Sequence, residues 1–445
     1  MSAEHFVSLG MTAEDATGRA ALVDRVRRGF TGLVGAPPEW CWFVPGRIEV
    51  LGKHTDYAGG RSLLAAVPRG FAVAARPRND GRVRVMDVRY GSRTEIDPSD
   101  GNGKLTGWQS YIQVVARRFA RNFPGAELGT DLAIASDLPR AAGLSSSSAL
   151  VVAVATALAR RANLPARDEW QAEIGSVEDL AWYLGCVENG LDYRNLTGTA
   201  GVGTLGGSED HTAILACRTG CLSQYRFVPV AHQGDTPMPD PWVFVIASSG
   251  VPADKAGSVR EHYNRASLGT RALLHRWNQD AATPARSLGS ALTEPEALPR
   301  LRSLVTHSTA GGFSSEELLR RLSHFVAEDG RVPDAARAFA AADAETIGRL
   351  SDESQREADE WLGNQIPETR TMALVARECG ALASSSFGAG FGGSVWALVE
   401  RHSAGAFAAE WLAAYGRHYP SMASLEWFVA RPGPPATEVR IGAAV

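Results

Sequence analysis

The 445-residue sequence has few cysteines, and none is placed as in a metal site or a disulfide framework. The five are Cys41, Cys186, Cys217, Cys221 and Cys379, an odd number without a CxxC pair. Cys217 and Cys221 lie close together, but no second Cys or His pair at metal-ligand spacing accompanies them. We therefore expect reduced thiols and no zinc site.

The sequence also lacks a long hydrophobic run and a large excess of charge of one sign. The longest nearly apolar stretch, residues 149–159, is too short to cross a bilayer. Residues 1–10 have neither the basic start nor the apolar core of a secretory signal. A formal net charge of -4 gives no attraction for nucleic acid or for an anionic membrane. These absences predict a cytoplasmic protein with small-molecule partners, for which we expect a monomer or a weak homodimer.

Local patterns predict a mixture of strands and helices. A strand is expected over residues 39–51, and residues 71–88 predict a β-hairpin with its turn at Asn79-Asp80-Gly81. The second half is expected to be mostly helical, with strands returning near the end. The helices expected from periodicity include 106–119, 149–162, 314–327 and 333–350.

The chain has no Walker A sequence, because no Gly-Lys-Ser/Thr follows a glycine-rich loop. Instead, residues 139–149 (PRAAGLSSSSA) form a loop of small residues that runs directly into an apolar helix. Backbone N–H groups and the positive end of the helix dipole converge there, and small side chains let a phosphate approach. A serine-rich helix cap has the same composition, so this segment alone leaves both interpretations open.

A second glycine-dense loop occupies residues 387–394 (FGAGFGGS) and precedes a strand-like segment. Its glycines indicate a backbone that passes close to a ligand or to another loop. A flexible turn is the alternative, which Phe387 and Phe391 make less favourable because aromatic side chains indicate packing.

A third segment, residues 45–60 (PGRIEVLGKHTDYAGG), leads from a strand into closely spaced polar residues. Asp56 can accept hydrogen bonds from paired hydroxyls, His54 can donate or accept, and Arg47 can stabilise charge on a phosphoryl group. These side chains could hydrogen-bond the hydroxyl groups of a polyol, although a surface loop with charges placed by chance would have a similar sequence.

In this order, the three segments resemble the three motifs of the GHMP kinase superfamily, and galactokinases are the most similar members. The resemblance implies an α+β, two-lobed fold, with a mixed sheet and helices in an N-terminal lobe (residues 1–235) and an α/β C-terminal lobe (residues 236–445). ATP and a sugar would meet in the cleft between the lobes. The implied reaction is phosphorylation of a monosaccharide, expected at the anomeric hydroxyl. A GHMP kinase for a non-sugar alcohol and a non-catalytic sugar and ATP sensor are the alternatives.

The resemblance also implies roles for individual residues. Asp210 and Arg47 would form the catalytic pair, with the aspartate facing the acceptor hydroxyl and the arginine offsetting developing charge. Mg²⁺ would bind Ser147 and Glu188, which offer hard oxygen donors. The other implied contacts are Lys53, His54, Asp56 and Tyr263 for the sugar, and Gly143, Leu144, Ser145, Ser146, Ser147, Gly390 and Gly392 for ATP.

Two regions depart from the galactokinase pattern. Lys53 stands where galactokinases usually have glutamate, which raises the hypothesis of an anionic substrate such as a uronic acid. The alternative is that Lys53 pairs with a protein carboxylate or points to solvent. Around Asp210, the usual Met-Asp-Gln is replaced by Glu-Asp-His, which leaves Glu209 as a rival base. An insertion between Glu188 and Asp210 is expected to reshape the sugar pocket.

Overall fold

The computed structural model describes residues 3–101, 103–139, 143–253, 257–306, 311–422 and 425–440. Residues 140–142 of the predicted phosphate loop therefore lie outside the described residues. The strands, in chain order, are β1 Trp40–Leu51, β2 Arg61–Pro77, β3 Val83–Asp87, β4 Arg93–Ile96, β5 Thr130–Ser136, β6 Cys221–Arg226, β7 Ala231–Pro237, β8 Trp242–Ser248, β9 Ala383–Ser386, β10 Ser394–Glu400, β11 Trp427–Ala430 and β12 Thr437–Glu438.

Helices fill the spaces between the strands and dominate the second half, as predicted. In chain order they are α1 Glu4–Ser8, α2 Ala13–Val34, α3 Trp108–Asn122, α4 Ser146–Arg161, α5 Asp168–Glu173, α6 Val177–Asn189, α7 Glu209–Ala216, α8 Gly257–Asp280, α9 Leu288–Ala291, α10 Ala297–Thr306, α11 Ser315–Ala340, α12 Ala344–Glu357, α13 Pro367–Glu378 and α14 Ala404–His418. In the part of the chain that the structure describes, no helix is long and apolar enough to span a membrane.

The first sheet has the strand order β12-β1-β2-β5-β3-β4, and β6 and β7 extend it beside β2. Strand β1 is buried on both faces, because successive side chains point to opposite sides of the sheet. Cys41 and Phe43 pack in one cluster with α2, whereas Trp42 and Val44 belong to the core formed with α3 and α4. Helices on both sides thus hold β1 in place, and its last residues lead into the polar segment.

The second sheet has the order β11-β8-β10-β9 and is antiparallel throughout its described pairs. Helices α13 and α14 cover one face, with Met372 and Trp411 in that cluster. On the other face, Phe244 and Trp396 join the core of the first sheet. Trp396 Nε1 also donates a hydrogen bond to Glu49 O on β1 (3.2 Å), so the two sheets are directly connected.

The predicted division at residue 235 falls inside β7, the last strand of the first sheet before the chain enters the second. Near the C-terminus the chain returns, and Thr437 pairs with Phe43 of β1. The lobe boundaries stay a prediction.

The predicted hairpin over residues 71–88 is wrong. Strands β2 and β3 do not pair, because β5 lies between them, antiparallel to β2 and parallel to β3. Val73 pairs with Ile134, and Asp87 pairs with the same residue from the other side. The turn is present, but a strand distant in sequence separates its two arms.

The two helices predicted over residues 314–327 and 333–350 also need correction. Helix α11 is continuous and contains Pro333, and the break comes later, where Asp343 caps α12 by accepting from Thr346 N–H (3.0 Å). A proline removes one helical hydrogen bond. Val332 and Ala335 on either side are fully buried, and their packing offsets that loss.

Candidate active site

The polar segment after β1 folds into a tight loop whose shape depends on Gly52. Its φ is +115°, and a Cβ atom there would lie 2.5 Å from Ser62 Cα, so only glycine fits. Thr55 Oγ1 lies 2.6 Å from Arg61 O and 2.9 Å from Gly52 O, and its hydroxyl hydrogen bond to these carbonyls closes the loop. From α11, Arg321 Nη2 donates to His54 O (2.5 Å). The loop is thereby fixed to both halves of the chain.

This loop helps to enclose a small cavity of about 40 Å³. Side chains from both halves of the chain form its wall, since Tyr263 and Ala389 contribute along with residues from β1 and α7. The residues predicted from sequence that line it are Arg47, His54, Asp56, Glu188, Asp210 and Tyr263.

The sugar-binding candidates are held by short contacts. His54 Nδ1 lies 2.9 Å from Tyr57 Oη and its Nε2 lies 3.1 Å from Ala389 O. The ring of Tyr263 packs edge-on against His54. Asp56 Oδ2 accepts from Glu209 N–H (3.1 Å).

A larger cavity of about 670 Å³ adjoins the small one. Four predicted residues of the phosphate loop, Gly143, Ser145, Ser146 and Ser147, line it. Its wall also includes cationic side chains and aromatic rings that the motifs alone did not identify; these are Arg89, Lys104, Arg260, Tyr90, Trp108 and Tyr111. A site with these groups suits a flat ring joined to an anionic tail.

Arg47 and Asp210 line both cavities and are joined by an ion pair. Arg47 Nε donates to Asp210 Oδ1 (2.7 Å), and Nη2 lies 2.6 Å from the same oxygen. Nη1 donates to Gly143 O (2.7 Å), which ties the pair to the phosphate loop. Burial opposes the charged guanidinium, but Asp210, Glu209 and Glu49 outweigh it and raise the pKa of Arg47. The arginine therefore stays charged at the border between the cavities.

The two glycine-rich turns meet beside this pair, although they are far apart in sequence. A Cβ atom at Gly388 would lie 3.0 Å from Gly143 O and 3.3 Å from Arg47 Nη2. Gly143 itself has φ of +73° and faces Phe387 O. The close approach explains why both turns need glycine.

Ser145 occupies the N-cap position of helix α4, and among the described residues its buried hydroxyl has no hydrogen-bond partner. It lines the larger cavity, so this hydroxyl and the free N–H groups of the first turn of α4 are available to an anion.

Three residues predicted to contact ATP are not among the described residues that line the larger cavity. Leu144 is buried in the core of the first sheet. A side chain at Gly390 would collide with Asn364 O at 2.3 Å, and one at Gly392 would meet Val251 O at 2.7 Å. The structure thus gives each residue a packing role, and its contact with ATP stays a prediction.

Lys53 is not among the described residues of the small cavity wall, and its side chain is buried elsewhere. Its Nζ donates to Ser354 Oγ (2.7 Å) on α12, and Ser354 donates to Glu328 Oε1 (2.9 Å) on α11. Burial favours the neutral form of Glu328, but Lys53 and Arg331 outweigh it and lower its pKa. This position supports the alternative, in which Lys53 is balanced by a protein carboxylate, and its contact with a substrate stays a prediction.

The expected metal ligands lie in different cavities. Ser147 lines the larger cavity and Glu188 lines the small one. It is Ser148 whose hydroxyl contacts Glu188 Oε2 (3.0 Å) and Asp210 Oδ2 (3.3 Å). Among the described residues, no group of three or more His, Cys, Asp or Glu side chains could hold a metal ion.

Glu209, the rival base, is buried beside Asp210 but faces a different partner. Its Oε2 accepts from Ser62 Oγ (2.7 Å) on β2. Burial, followed by repulsion from Glu49 and Asp56, raises the pKa of Glu209 well above its usual value. Asp210 reaches both cavities and Glu209 reaches the small one, so geometry favours Asp210 as the group nearest to the reacting atoms.

Comparison with known proteins agrees with these observations. Three family models match: the galactokinase galactose-binding signature over residues 28–77, the GHMP kinases N terminal domain over 110–181 and the GHMP kinases C terminal over 335–418. Galactokinases of Chloroflexus aggregans and Roseiflexus sp. are each 31% identical, over 87% and 88% of this chain and 90% and 91% of their own length.

Solved structures show the same relationship. The Lactococcus lactis galactokinase complexed with galactose is 25% identical, covers 94% of this chain and 100% of its own, and has a TM-score of 0.76. The L. major mevalonate kinase in complex with R-mevalonate is 14% identical, covers 88% of this chain and 95% of its own, and has a TM-score of 0.53, so it shares the fold alone. The predicted α+β fold and ATP-dependent sugar kinase activity are thereby confirmed, and the chain belongs to the galactokinase family of GHMP kinases.

Proposed function

We propose that this sugar kinase transfers the γ-phosphoryl group of ATP to the anomeric hydroxyl of a galactose-like sugar and releases a sugar 1-phosphate. One observation carries the proposal: the Arg47–Asp210 ion pair lies where the two cavities meet. A sugar in the small cavity and a nucleotide in the larger one would bring their reacting atoms together at this pair.

The small cavity would hold the sugar through His54, Asp56 and Tyr263, all buried or nearly so. Asp56 can accept from sugar hydroxyls, and the ring of Tyr263 offers an apolar surface. Gly207 is needed for this arrangement, because a Cβ atom there would lie 2.2 Å from Asp56 Oδ2.

The larger cavity would hold ATP. Tyr90, Trp108 and Tyr111 would pack against the base, while Ser145 and the start of α4 would receive the phosphates. Leu144, Gly390 and Gly392 would support these groups by packing, and their contact with ATP remains part of the proposal.

Mg²⁺ is proposed to bind Ser147 and Glu188. The donor chemistry fits, since Glu188 is a buried carboxylate whose described hydrogen bond, from Ser148, falls on Oε2 alone. When bound, the ion would neutralise charge on the phosphates.

ATP as the substrate and the free cysteines are consistent with a cytoplasmic enzyme, and a monomer or weak homodimer stays the expectation.

In the reaction, the sugar hydroxyl oxygen forms a bond to the γ-phosphorus while the bond to the β,γ-bridging oxygen breaks. Asp210 orients this hydroxyl and takes its proton, and ADP leaves. Arg47 remains charged and offsets the negative charge that spreads over the transferred group. The positive N-terminal end of helix α7 stabilises the negative charge of the Asp210 carboxylate, because Asp210 lies in the first turn of this helix.

The test is ADP release from ATP by the purified chain with galactose, followed by phosphorus NMR of the product. We expect sugar-dependent ADP release and a phosphate on the anomeric carbon. Release with mevalonate but with none of the neutral, amino or acidic sugars would contradict the proposal, and so would a phosphate on another carbon.

A further inference from the structure

The small cavity is strongly acidic, which neither the motifs nor the proposed reaction explains. The carboxyl groups in its wall are Glu49, Asp56, Glu188, Glu209 and Asp210. Among the described lining residues, Arg47 is the one permanently charged cation. The larger cavity has the opposite character, since Arg47, Arg89, Lys104 and Arg260 face Asp87 and Asp210 there.

Three of the five carboxyls have a role in the proposed site, and Glu209 accepts a hydrogen bond from Ser62 Oγ through Oε2. Asp210 is paired with Arg47, Asp56 accepts from Glu209 N–H, and Glu188 is a proposed ligand of Mg²⁺. Glu49 and Glu209 remain, and both are buried on adjacent elements of the wall.

One oxygen of Glu49 is unsatisfied in the part of the chain that the structure describes. The residue is 2% exposed, and among the described residues its buried Oε1 has no hydrogen-bond partner. Lys53 attracts it electrostatically, but the ammonium donates its hydrogen bond to Ser354. A buried acceptor without a donor is costly, so this oxygen points to a donor that a ligand brings.

The two carboxyls share a hydrogen bond and would repel each other if both were ionised. Burial raises the pKa of Glu49 to about 7, despite the attraction of Lys53 and Arg47 and the hydrogen bond with Glu209. Burial and then Glu49 are the main causes that raise the pKa of Glu209. Bringing a cation to this pair would let both carboxyls ionise, and the ion pairs formed would contribute to binding.

The pair lies next to the reacting centre. Glu209 Oε1 is 3.8 Å from Arg47 Nε, and the same nitrogen donates to Asp210 Oδ1. Glu209 thus lies beside the position that the reacting hydroxyl would take at Asp210, within reach of a substituent on the neighbouring carbon. An anionic substituent would meet two carboxyls there, so a uronic acid is disfavoured.

We propose that the preferred acceptor is an amino sugar whose ammonium group, on the carbon next to the reacting hydroxyl, is bound by Glu49 and Glu209. This inference rests on the proposed function, because it takes the anomeric hydroxyl as the acceptor. The substrate class is then a 2-amino-2-deoxyhexose.

The test compares kcat/KM for galactosamine, galactose, N-acetylgalactosamine and galacturonic acid at pH 6.5. N-acetylgalactosamine is the matched probe, since it keeps the nitrogen and removes the charge. We expect galactosamine to exceed galactose by about tenfold or more, which corresponds to one charge-assisted contact, and galacturonic acid to be the poorest.

Substitution of single carboxyls tests which residue binds the ammonium group. Glu49→Gln should lower the ratio of kcat/KM for galactosamine to kcat/KM for galactose by about tenfold. Glu173→Gln is the control, because Glu173 is a buried carboxyl whose described side-chain contact is with Asn195, away from the cavity. It should leave the ratio unchanged, and thermal melts would verify that both variants fold.

The outcomes separate the two proposals. If galactose equals or exceeds galactosamine in the unaltered chain, the amino-sugar inference is overturned while the kinase proposal stands. This comparison does not depend on any variant folding. If none of these sugars supports ADP release, the proposed function is overturned, and the amino-sugar inference with it.

Discussion

Two charged clusters lie at the end of strand β1, and they differ in how well their charges are satisfied. The support cluster consists of Lys53, Ser354, Glu328, Arg331 and Glu357. Glu328 Oε1 accepts from Gly52 N–H (2.9 Å), Lys53 N–H (3.1 Å) and the Ser354 hydroxyl. Its Oε2 accepts from Arg331, which also pairs with Glu357. Each described carboxylate here faces a cation.

The cavity cluster consists of Arg47, Glu49, Glu209 and Asp210. The first three are about as deeply buried as the support cluster, whereas the Asp210 side chain is 19% exposed. Three carboxyls share one guanidinium, and among the described residues Glu49 Oε1 has no hydrogen-bond partner. Similar burial of Glu49 and Glu328 with unequal hydrogen bonding indicates different roles. The support cluster fixes the loop, whereas the cavity cluster keeps unused binding capacity for a substrate.

The largest expected effect is on Asp210, at the reactive end of the cavity cluster. Asp210→Asn keeps the shape but removes the proton acceptor, so kcat should fall about 10²- to 10⁴-fold. ATP affinity, measured by calorimetric titration, should change little because the phosphate loop is intact. Retention of kcat within tenfold would show that Asp210 is not the catalytic base, and Glu209→Gln would then be the variant to measure.

Substitutions in the support cluster should change the free energy of unfolding rather than the rate of phosphoryl transfer. Glu328→Gln leaves Lys53 and Arg331 buried with too few carboxylates, which should lower the free energy of unfolding by about 3–5 kcal/mol. Adding Lys53→Met removes the unpaired cation and should restore part of the loss. Urea denaturation of the two single variants and the double variant gives the coupling free energy between Lys53 and Glu328. A loss below about 1 kcal/mol for Glu328→Gln would contradict the central role of this carboxylate.

The two clusters should also differ in their response to pH. Burial raises the pKa of Glu49 from 4.5 to about 7 in the folded protein, so the folded state holds this proton more tightly than the unfolded state does. The resulting stability is complete below pH 4.5 and is lost as the pH rises through about 7.

Glu49→Gln cannot ionise and should escape this loss. Relative to the unaltered chain, its free energy of unfolding should increase between pH 5 and pH 8 by roughly 1–3 kcal/mol. Thermal or urea unfolding at both pH values is the measurement. A difference that does not change with pH would mean that Glu49 is ionised throughout.

The sequence alone identified the residues that lie in contiguous motifs. Arg47 lies on β1, His54 and Asp56 follow that strand, and the glycines of residues 387–394 indicated a backbone that passes close to a ligand or to another loop. The structure places these groups around the adjoining cavities.

Partners far apart in the chain could not be predicted from local patterns. The direction of Lys53 was one such case, because Gly52 has φ of +115° and interrupts the strand alternation that would have fixed it. Glu328, the carboxylate that balances Lys53, lies on helix α11. The hydrophobic periodicity of that helix predicts which face is buried but not which residues that face contacts. The false hairpin has the same origin, since β5 enters the sheet between β2 and β3 from a distant part of the sequence.

The smallest effects come from two serines that bridge charged groups, one in each region. Ser354 connects Lys53 with Glu328, and Ser148 connects Glu188 with Asp210. Each alanine substitution removes hydrogen bonds worth about 1 kcal/mol. Ser354→Ala should therefore lower the free energy of unfolding by about that amount and leave kcat unchanged.

Ser148→Ala should show the opposite pattern, because its partners face the substrates. It frees Asp210 and Glu188 to move, so kcat/KM should fall about tenfold with a smaller change in stability. Unfolding curves and steady-state kinetics on both variants give the comparison, and Ser148→Thr, which keeps the hydroxyl, should recover activity. If Ser354→Ala reduced kcat as much as Ser148→Ala did, the two clusters would form one catalytic unit, and the separation into supporting and reactive charges would fail.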